Sequence, residues 1–237
     1  MTVEPDSACF KGGRIGRSAK RDLGLSWVLR QGLVWEKSRL TRVQEMRTLT
    51  IRRTPQCSGD LDRRAMEVIV RQAEPGDEAA IARVQVAAWQ AAYAPFFGDE
   101  FLRSLSIEHK QETWRDALTH PGRGRYRVAE ADHRVQGFAV FGPARDDDLD
   151  ETASELIALN VHPDCWRLKL GTALLDAVLQ RVAAERYKTL HLWVIEGNAP
   201  AIKLYEKSGF TYSGMSKAQR KHSGRPVIEL RYAKALG

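Results

Sequence analysis

Asn198-Ala199-Pro200-Ala201-Ile202-Lys203-Leu204-Tyr205-Glu206-Lys207-Ser208-Gly209-Phe210 is the stretch on which the reading of this chain turns. Asn198 is an N-cap candidate, because its side-chain oxygen can take an amide that has no partner inside the helix. Ala199 to Lys207 then reads as a helix, and Gly209 stands where a C′ glycine belongs. Just upstream, Leu190 to Ile195 reads as a strand. The segment is therefore a strand running into a short helix.

Working toward the N-terminus, Leu174, Val178 and Val182 recur every four residues and predict a helix from about Leu170 to Arg186. Pro163 separates it from a strand over Glu155 to Val161. Arg145 to Thr152 reads as an acidic loop, and Tyr126 to Ala129 with Val135 to Phe141 as an antiparallel hairpin. A helix covers about Ile107 to Leu118. Another carries Ile81, Val84, Val86, Trp89 and Tyr93 and is broken by Pro95. It is preceded by turn residues Ala73 to Asp77 and by the β-branched run Val68-Ile69-Val70. Toward the C-terminus, Val227 to Tyr232 is the last strand expected.

The order of these elements resembles the GNAT superfamily of N-acetyltransferases. Two segments carry the likeness. Asn198 to Phe210 is similar to that family's N-x-x-A-x-x-x-Y-x-x-x-G-F pattern. Leu159-Asn160-Val161-His162-Pro163, with Trp166 to Leu175, is similar to its strand-to-helix cofactor motif, and Trp89 to Tyr93 to its first helix. The resemblance covers roughly residues 67 to 235. It implies an α/β GNAT (acyl-CoA N-acyltransferase) fold: a mixed twisted sheet with helices on both faces and splayed central strands. One departure matters. Where the family has Gln or Arg, Gly, and Gly or Ala, this chain has Trp166, Lys169 and Gly171. A Cβ at position 169 occupies space that glycine leaves open.

Composition bounds the remainder. The 237 residues carry a formal charge of +7, and all of it comes from residues 1–65, with 14 Lys and Arg against 7 Asp and Glu. Residues 66–237 balance at 23 against 23, which argues against nucleic acid as a partner of the folded part. Cys9, Cys57 and Cys165 are widely spaced, so neither a disulfide framework nor a metal site is indicated and a reducing cytoplasm is expected. No apolar run approaches ~18 residues, so no membrane span is expected. The division expected is a basic, mostly disordered leader over 1–65 and an acetyltransferase domain over 66–237. The leader reads as sequence upstream of a natural start at Met66 rather than as a targeting peptide. A homodimer is left open.

The resemblance implies acetyl-CoA as co-substrate, no metal, and a primary amine of a small molecule, peptide or protein as acceptor. The cofactor-binding positions it implies are Leu159, Val161, Arg167, Leu168, Lys169, Leu170, Gly171, Thr172 and Asn198. Backbone N–H groups at a helix N-terminus suit a diphosphate. Thiolate departs fairly readily, since a thiol has a pKa of about 8.5, so a tyrosine of pKa ~10 is a sufficient acid. Tyr205 is that candidate through the resemblance, against a ring merely packed on the sheet. Glu155 is the candidate base, against a solvated strand-end charge, with His162 competing. Trp89 and Tyr93 either line the acceptor pocket or belong to the core. Asn198 either contacts cofactor or only caps its helix. Beside the enzyme stand two other readings: a catalytically degenerate module that binds acyl-CoA or a partner protein, and a nucleic-acid contact through the leader.

Overall fold

A computed structural model describes residues 47–51, 66–219 and 226–237. In chain order these form strand β1 (Arg47–Ile51), β2 (Met66–Gln72), helix α1 (Glu78–Ala92), α2 (Asp99–Arg103), α3 (Ile107–Thr119), β3 (Arg125–Ala131), β4 (Arg134–Pro143) and β5 (Ala153–Val161). After a 3-10 turn at Pro163–Cys165 come α4 (Leu170–Ala184), β6 (Thr189–Ile195), α5 (Ala199–Lys207), β7 (Thr211–Gln219) and β8 (Val227–Ala235). The strands make one mixed sheet in the order β1-β2-β3-β4-β5-β6-β8-β7. Its strands pair antiparallel except for β5 with β6.

The β3–β4 hairpin closes through Asp132 and His133, whose φ values of 50° and 60° are those of a two-residue type I′ turn. Aspartate tolerates the left-handed region because its short polar side chain bonds locally. Helix α4 covers one face. Leu170, Leu174, Leu175, Val178 and Val182 are almost fully buried against Val68, Ala129, Ala139, Phe141, Leu156, Leu190 and Leu192. Burying those five side chains contributes on the order of 10 kcal/mol before entropy is counted. Leu174→Ala alone would cost about 2–5 kcal/mol. The opposite face of β4 and β5 is covered by α1, which packs on α3. There the buried Trp114 ring meets Phe138 at 5.0 Å, and its indole N–H donates to Gln85 Oε1 at 2.8 Å. Helices thus lie on both faces, as the resemblance implies.

The expected splay is present in the central strands. β5 and β6 pair only from Ala153–Thr189 to Leu156–Leu192. At that point β5 carries a bulge: Val140 faces Ala158 and Phe141 faces Leu156, so Ile157 is the extra residue. An added residue bends a strand and increases its local twist. The rest of β5, Ile157 to Val161, runs on against β4 while β6 turns away.

Three elements fall outside what the apolar pattern predicts. β7 reads TYSGMSKAQ, without sustained alternation, and forms an exposed edge with its register interrupted between Tyr212 and Ser216. The α2 helix is a single short turn of chain. β1 lies within the leader and pairs with β2, so the sheet reaches one strand beyond the boundary expected near residue 66. The reading of residues 1–46 and 52–65 as mostly disordered lies outside the described residues. No helix among the described residues is long and apolar enough to cross a membrane.

Candidate functional site

The site is built around the end of β5. His162 N–H donates to Gln136 O on β4 at 2.8 Å. Backbone direction alternates along a strand, so Asn160 and Ala158 also face β4, while Leu159 and Val161 turn their N–H and C=O toward the gap left by β6. The expected backbone contacts at Leu159 and Val161 therefore face the cleft.

Beyond Val161 the chain makes its 3-10 turn and enters α4 through a loop of mixed hand. Arg167 and Lys169 have φ values of 64° and 61°. Alternating hand is the geometry of backbone nests, in which successive N–H groups converge on an anion. The first intrahelical bond runs from Ala173 N–H to Lys169 O, so the amides of Leu170, Gly171 and Thr172 precede it at the positive end of the helix dipole. Space is tight at Gly171. A Cβ on it would sit 3.3 Å from Leu204 Cδ2 of α5 and 3.7 Å from Leu159 Cδ2. Loop, strand end and the start of α4 thus lie together, with cationic Arg167 and Lys169 exposed beside them.

The Y-x-x-x-G-F spacing has a physical origin. Gly209, at φ 85°, donates its N–H to Glu206 O, and Phe210 donates to Tyr205 O, both at 3.0 Å. These two bonds are a Schellman cap, and the hydrophobic contact that accompanies it is the Tyr205–Phe210 ring pair at 6.0 Å. At the other end Asn198 Oδ1 accepts from Ala201 N–H at 3.4 Å, so Asn198 is the N-cap. Helix α5 is fastened at both ends, and its Tyr205 ring is buried. Burial, with Tyr93 nearby, pushes the Tyr205 phenol well above its ordinary pKa. Tyr93 in turn is pushed up to about 12 by burial and by Glu229. Both phenols stay protonated at neutral pH.

Trp89 and Tyr93 meet edge to face at 5.3 Å in an aromatic group with Phe97 and Phe101, half-buried at the end of α1. Phe96 reaches the turn after β6, where a Cβ on Gly197 would be 3.4 Å from its ring. Trp89 and Tyr93 thus pack on neighbouring rings and are only partly buried.

Glu155 is buried, and both of its oxygens accept from Arg145, at 2.8 Å from Nε and 2.6 Å from Nη2. It lies on the paired part of β5, opposite His191. His162 caps its own turn, with Nδ1 3.4 Å from the Asp164 amide. The pattern reading overlooked the charged floor beside these residues. Buried Arg231 forks onto Asp148 at 2.7 Å twice and reaches Asp146 at 3.4 Å. Trp193 donates to Asp146 at 2.8 Å, and Lys217 lies 3.6 Å from the Trp193 ring centroid and 4.0 Å from Glu229. The acidic loop Arg145 to Thr152 is thus tied to the sheet. Glu229, whose carboxylate was not singled out, is a charged residue set in the apolar run of Val227, Ile228 and Leu230, a break in the strand pattern that marks it. Among the described residues no group of three or more His, Cys, Asp or Glu could hold a metal.

The family model described as Acetyltransferase (GNAT) family matches residues 86–210, more than half of the chain. The chain is similar to the uncharacterized N-acetyltransferase YuaI of Bacillus subtilis, 29% identical over 139 residues, which are 59% of this chain and 78% of the relative. It is also 30% identical over 151 residues to the mycothiol acetyltransferase of Stackebrandtia nassauensis, covering 62% of this chain and 45% of that protein. The chain therefore spans less than half the length of that relative. Among solved structures, the PaiA N-acetyltransferase from Thermoplasma acidophilum in complex with coenzyme A superposes with a TM-score of 0.57 at 20% identity, over 71% of this chain and 98% of that one. That likeness is one of fold.

Proposed function

The chain belongs to the acetyltransferase (GNAT) family, and from that premise we propose how an acetyl-CoA-dependent N-acetyltransferase works in these residues. The acceptor of this reading is a primary amine that attacks the thioester directly, in a reducing cytoplasm. The observation that carries it is the gap between β5 and β6, lined by the backbone of Leu159 and Val161, with the capped Tyr205 helix beside it.

Bound acetyl-CoA supplies an acetyl group on a thiol that leaves readily. In this reading the amides of Arg167 to Thr172 hold its diphosphate, and Leu159 and Val161 meet its amide-bearing arm. Their N–H groups are also the donors for charge developing on the acyl oxygen, a contribution of a few kcal/mol in acyl transfer. Tyr205, kept protonated by its surroundings, gives its proton to the departing sulfur. The aromatic group at Trp89 and Tyr93 forms the acceptor wall.

Two carboxylates compete for the amine proton. Glu155 accepts it only by giving up a charge-assisted bond to Arg145. Glu229 pairs with Ile195, which is four residues beyond His191, just as Leu159 is four beyond Glu155. Glu229 therefore stands level with the open part of β5, and its charge is felt by Tyr93. This reading prefers Glu229 as the proton acceptor and Glu155 as the residue that fixes Arg145. The test is purified protein with acetyl-CoA and a panel of amines, followed by thiol release. Release above the rate with no acceptor supports the reading. Binding of CoA without release on any amine would support instead a non-catalytic module, for which the left-handed Lys169 and Trp166 are the motive.

A further inference from the structure

The residue that stands where the family has Gln or Arg does something specific. Trp166 is 44% exposed, a large indole left at the rim of the cleft. Its Nε1–H donates to the Val161 carbonyl at 2.7 Å, on the side of β5 that β6 has vacated. That bond closes the chain from residue 161 to 166 on itself across the 3-10 turn. Within the same segment Cys165 N–H donates to His162 O at 2.9 Å and Trp166 N–H to Pro163 O at 3.1 Å.

The next residues need such an anchor. Arg167 and Lys169 both occupy left-handed backbone, where a non-glycine residue costs about 1–2 kcal/mol. Strained backbone persists only where its surroundings over-determine it. Upstream of the strain, His162 Nδ1 accepts from the Asp164 amide, and the indole bond ties the turn back to β5. Downstream it is helix α4, which is held by its buried leucines.

We propose that Trp166 is a positioning residue for the diphosphate-binding loop: its indole N–H, bonded to the end of β5, holds Arg167 to Lys169 in the geometry that family members reach with glycine. The inference rests on the acetyl-CoA reading above. The ligand part it serves is the diphosphate, through the loop, because the indole engages only the Val161 carbonyl and leaves the N–H groups of Leu159 and Val161 for the acyl oxygen. Since a carbonyl has two lone pairs, Val161 O keeps one for the donor's amide arm.

The test uses the full chain and two donors, acetyl-CoA and S-acetylpantetheine, which lacks the diphosphate. Trp166→Phe keeps the ring and removes the N–H. It is expected to raise KM for acetyl-CoA about tenfold, to leave kcat within twofold, and to leave KM for S-acetylpantetheine unchanged. Trp166→His, which restores a ring N–H, is expected to recover part of the loss. Equal rises for both donors, or no rise for acetyl-CoA, would overturn the proposal. Calorimetric titration with CoA and with pantetheine reads the same contrast without turnover. Hence a wild-type protein that binds CoA and releases no thiol would sink the activity reading alone. The Kd values of the two ligands in Trp166→Phe would still decide the role of Trp166.

Discussion

Gly209→Ala tests whether the cap, and not only the phenol, makes position 205 what it is. Gly209 has φ 85°, where an L-residue pays about 1–2 kcal/mol. The new Cβ would lie 2.6 Å from Lys234 Nζ, but that ammonium ends a flexible chain and can swing aside, so the clash adds little. Alanine also lowers the entropy of the unfolded chain, which returns about 0.4–1 kcal/mol. The net loss is about 1 kcal/mol, or roughly 2–4 °C in Tm for a chain of this size. With a stability of some 5–15 kcal/mol, the variant remains almost wholly folded at 25 °C. A fall in kcat there reports a displaced Tyr205, because the Phe210 amide bonds the Tyr205 carbonyl through this turn. Differential scanning calorimetry and thiol release, on the alanine and asparagine variants side by side, give the answer. Asparagine tolerates left-handed backbone and should lose about half as much. Equal losses for the two, or an unchanged Tm for alanine, would refute the reasoning.

Tyr205→Phe should lower kcat about 10- to 100-fold with little change in KM for acetyl-CoA, read by steady-state kinetics; an unchanged kcat removes the phenol from the chemistry. Glu229→Gln should lower kcat at pH 7 about tenfold or more, whereas Glu155→Gln should mainly cost stability, about 1–2 kcal/mol, since half-exposed Arg145 can turn to water. The reverse pattern would return the base to Glu155. Lys169→Gly removes a Cβ from left-handed backbone and should tighten CoA several-fold; weaker binding, with a loss that is largest at low salt and shrinks as salt is added, would make the lysine a phosphate ligand. His191 is buried, and burial followed by Arg231 lowers its pKa despite Asp146, Asp148 and Glu155. The fold therefore refuses a proton that the unfolded chain accepts below about pH 6.5, so this part of the stability is intact above that value and is lost as pH falls below it. Urea midpoints for His191→Gln should fall less over that interval, and parallel curves would count against it.

What could be read from residues alone followed from local rules. Asn198, Tyr205, Gly209 and Phe210 sit at spacings that one capped helix dictates, and Leu174, Val178 and Val182 repeat with the helical turn. The charged floor obeys no such rule. Arg231 and Asp146 are 85 residues apart in the chain, and only the pairing of β6 with β8 brings the arginine beside Trp193. Glu155 was legible as a carboxylate on the central strand, but its engagement with Arg145 was not, because the loop that returns Arg145 carries its charges without a period. Strand β7 escaped notice because an exposed edge has no buried face to impose alternation on Thr211 to Gln219.

The early parting of β5 from β6 leaves a sheet margin inside the molecule instead of at its perimeter. Perimeter margins invite other polypeptides to add themselves, with the risk of uncontrolled association. This one narrows to a vertex at Leu156, so a folded neighbour cannot enter it broadside. In the proposed reading a slender, unbranched thread with amides at intervals enters instead and completes the interrupted ladder as a strand does. Selection by width thus comes before any side chain is consulted.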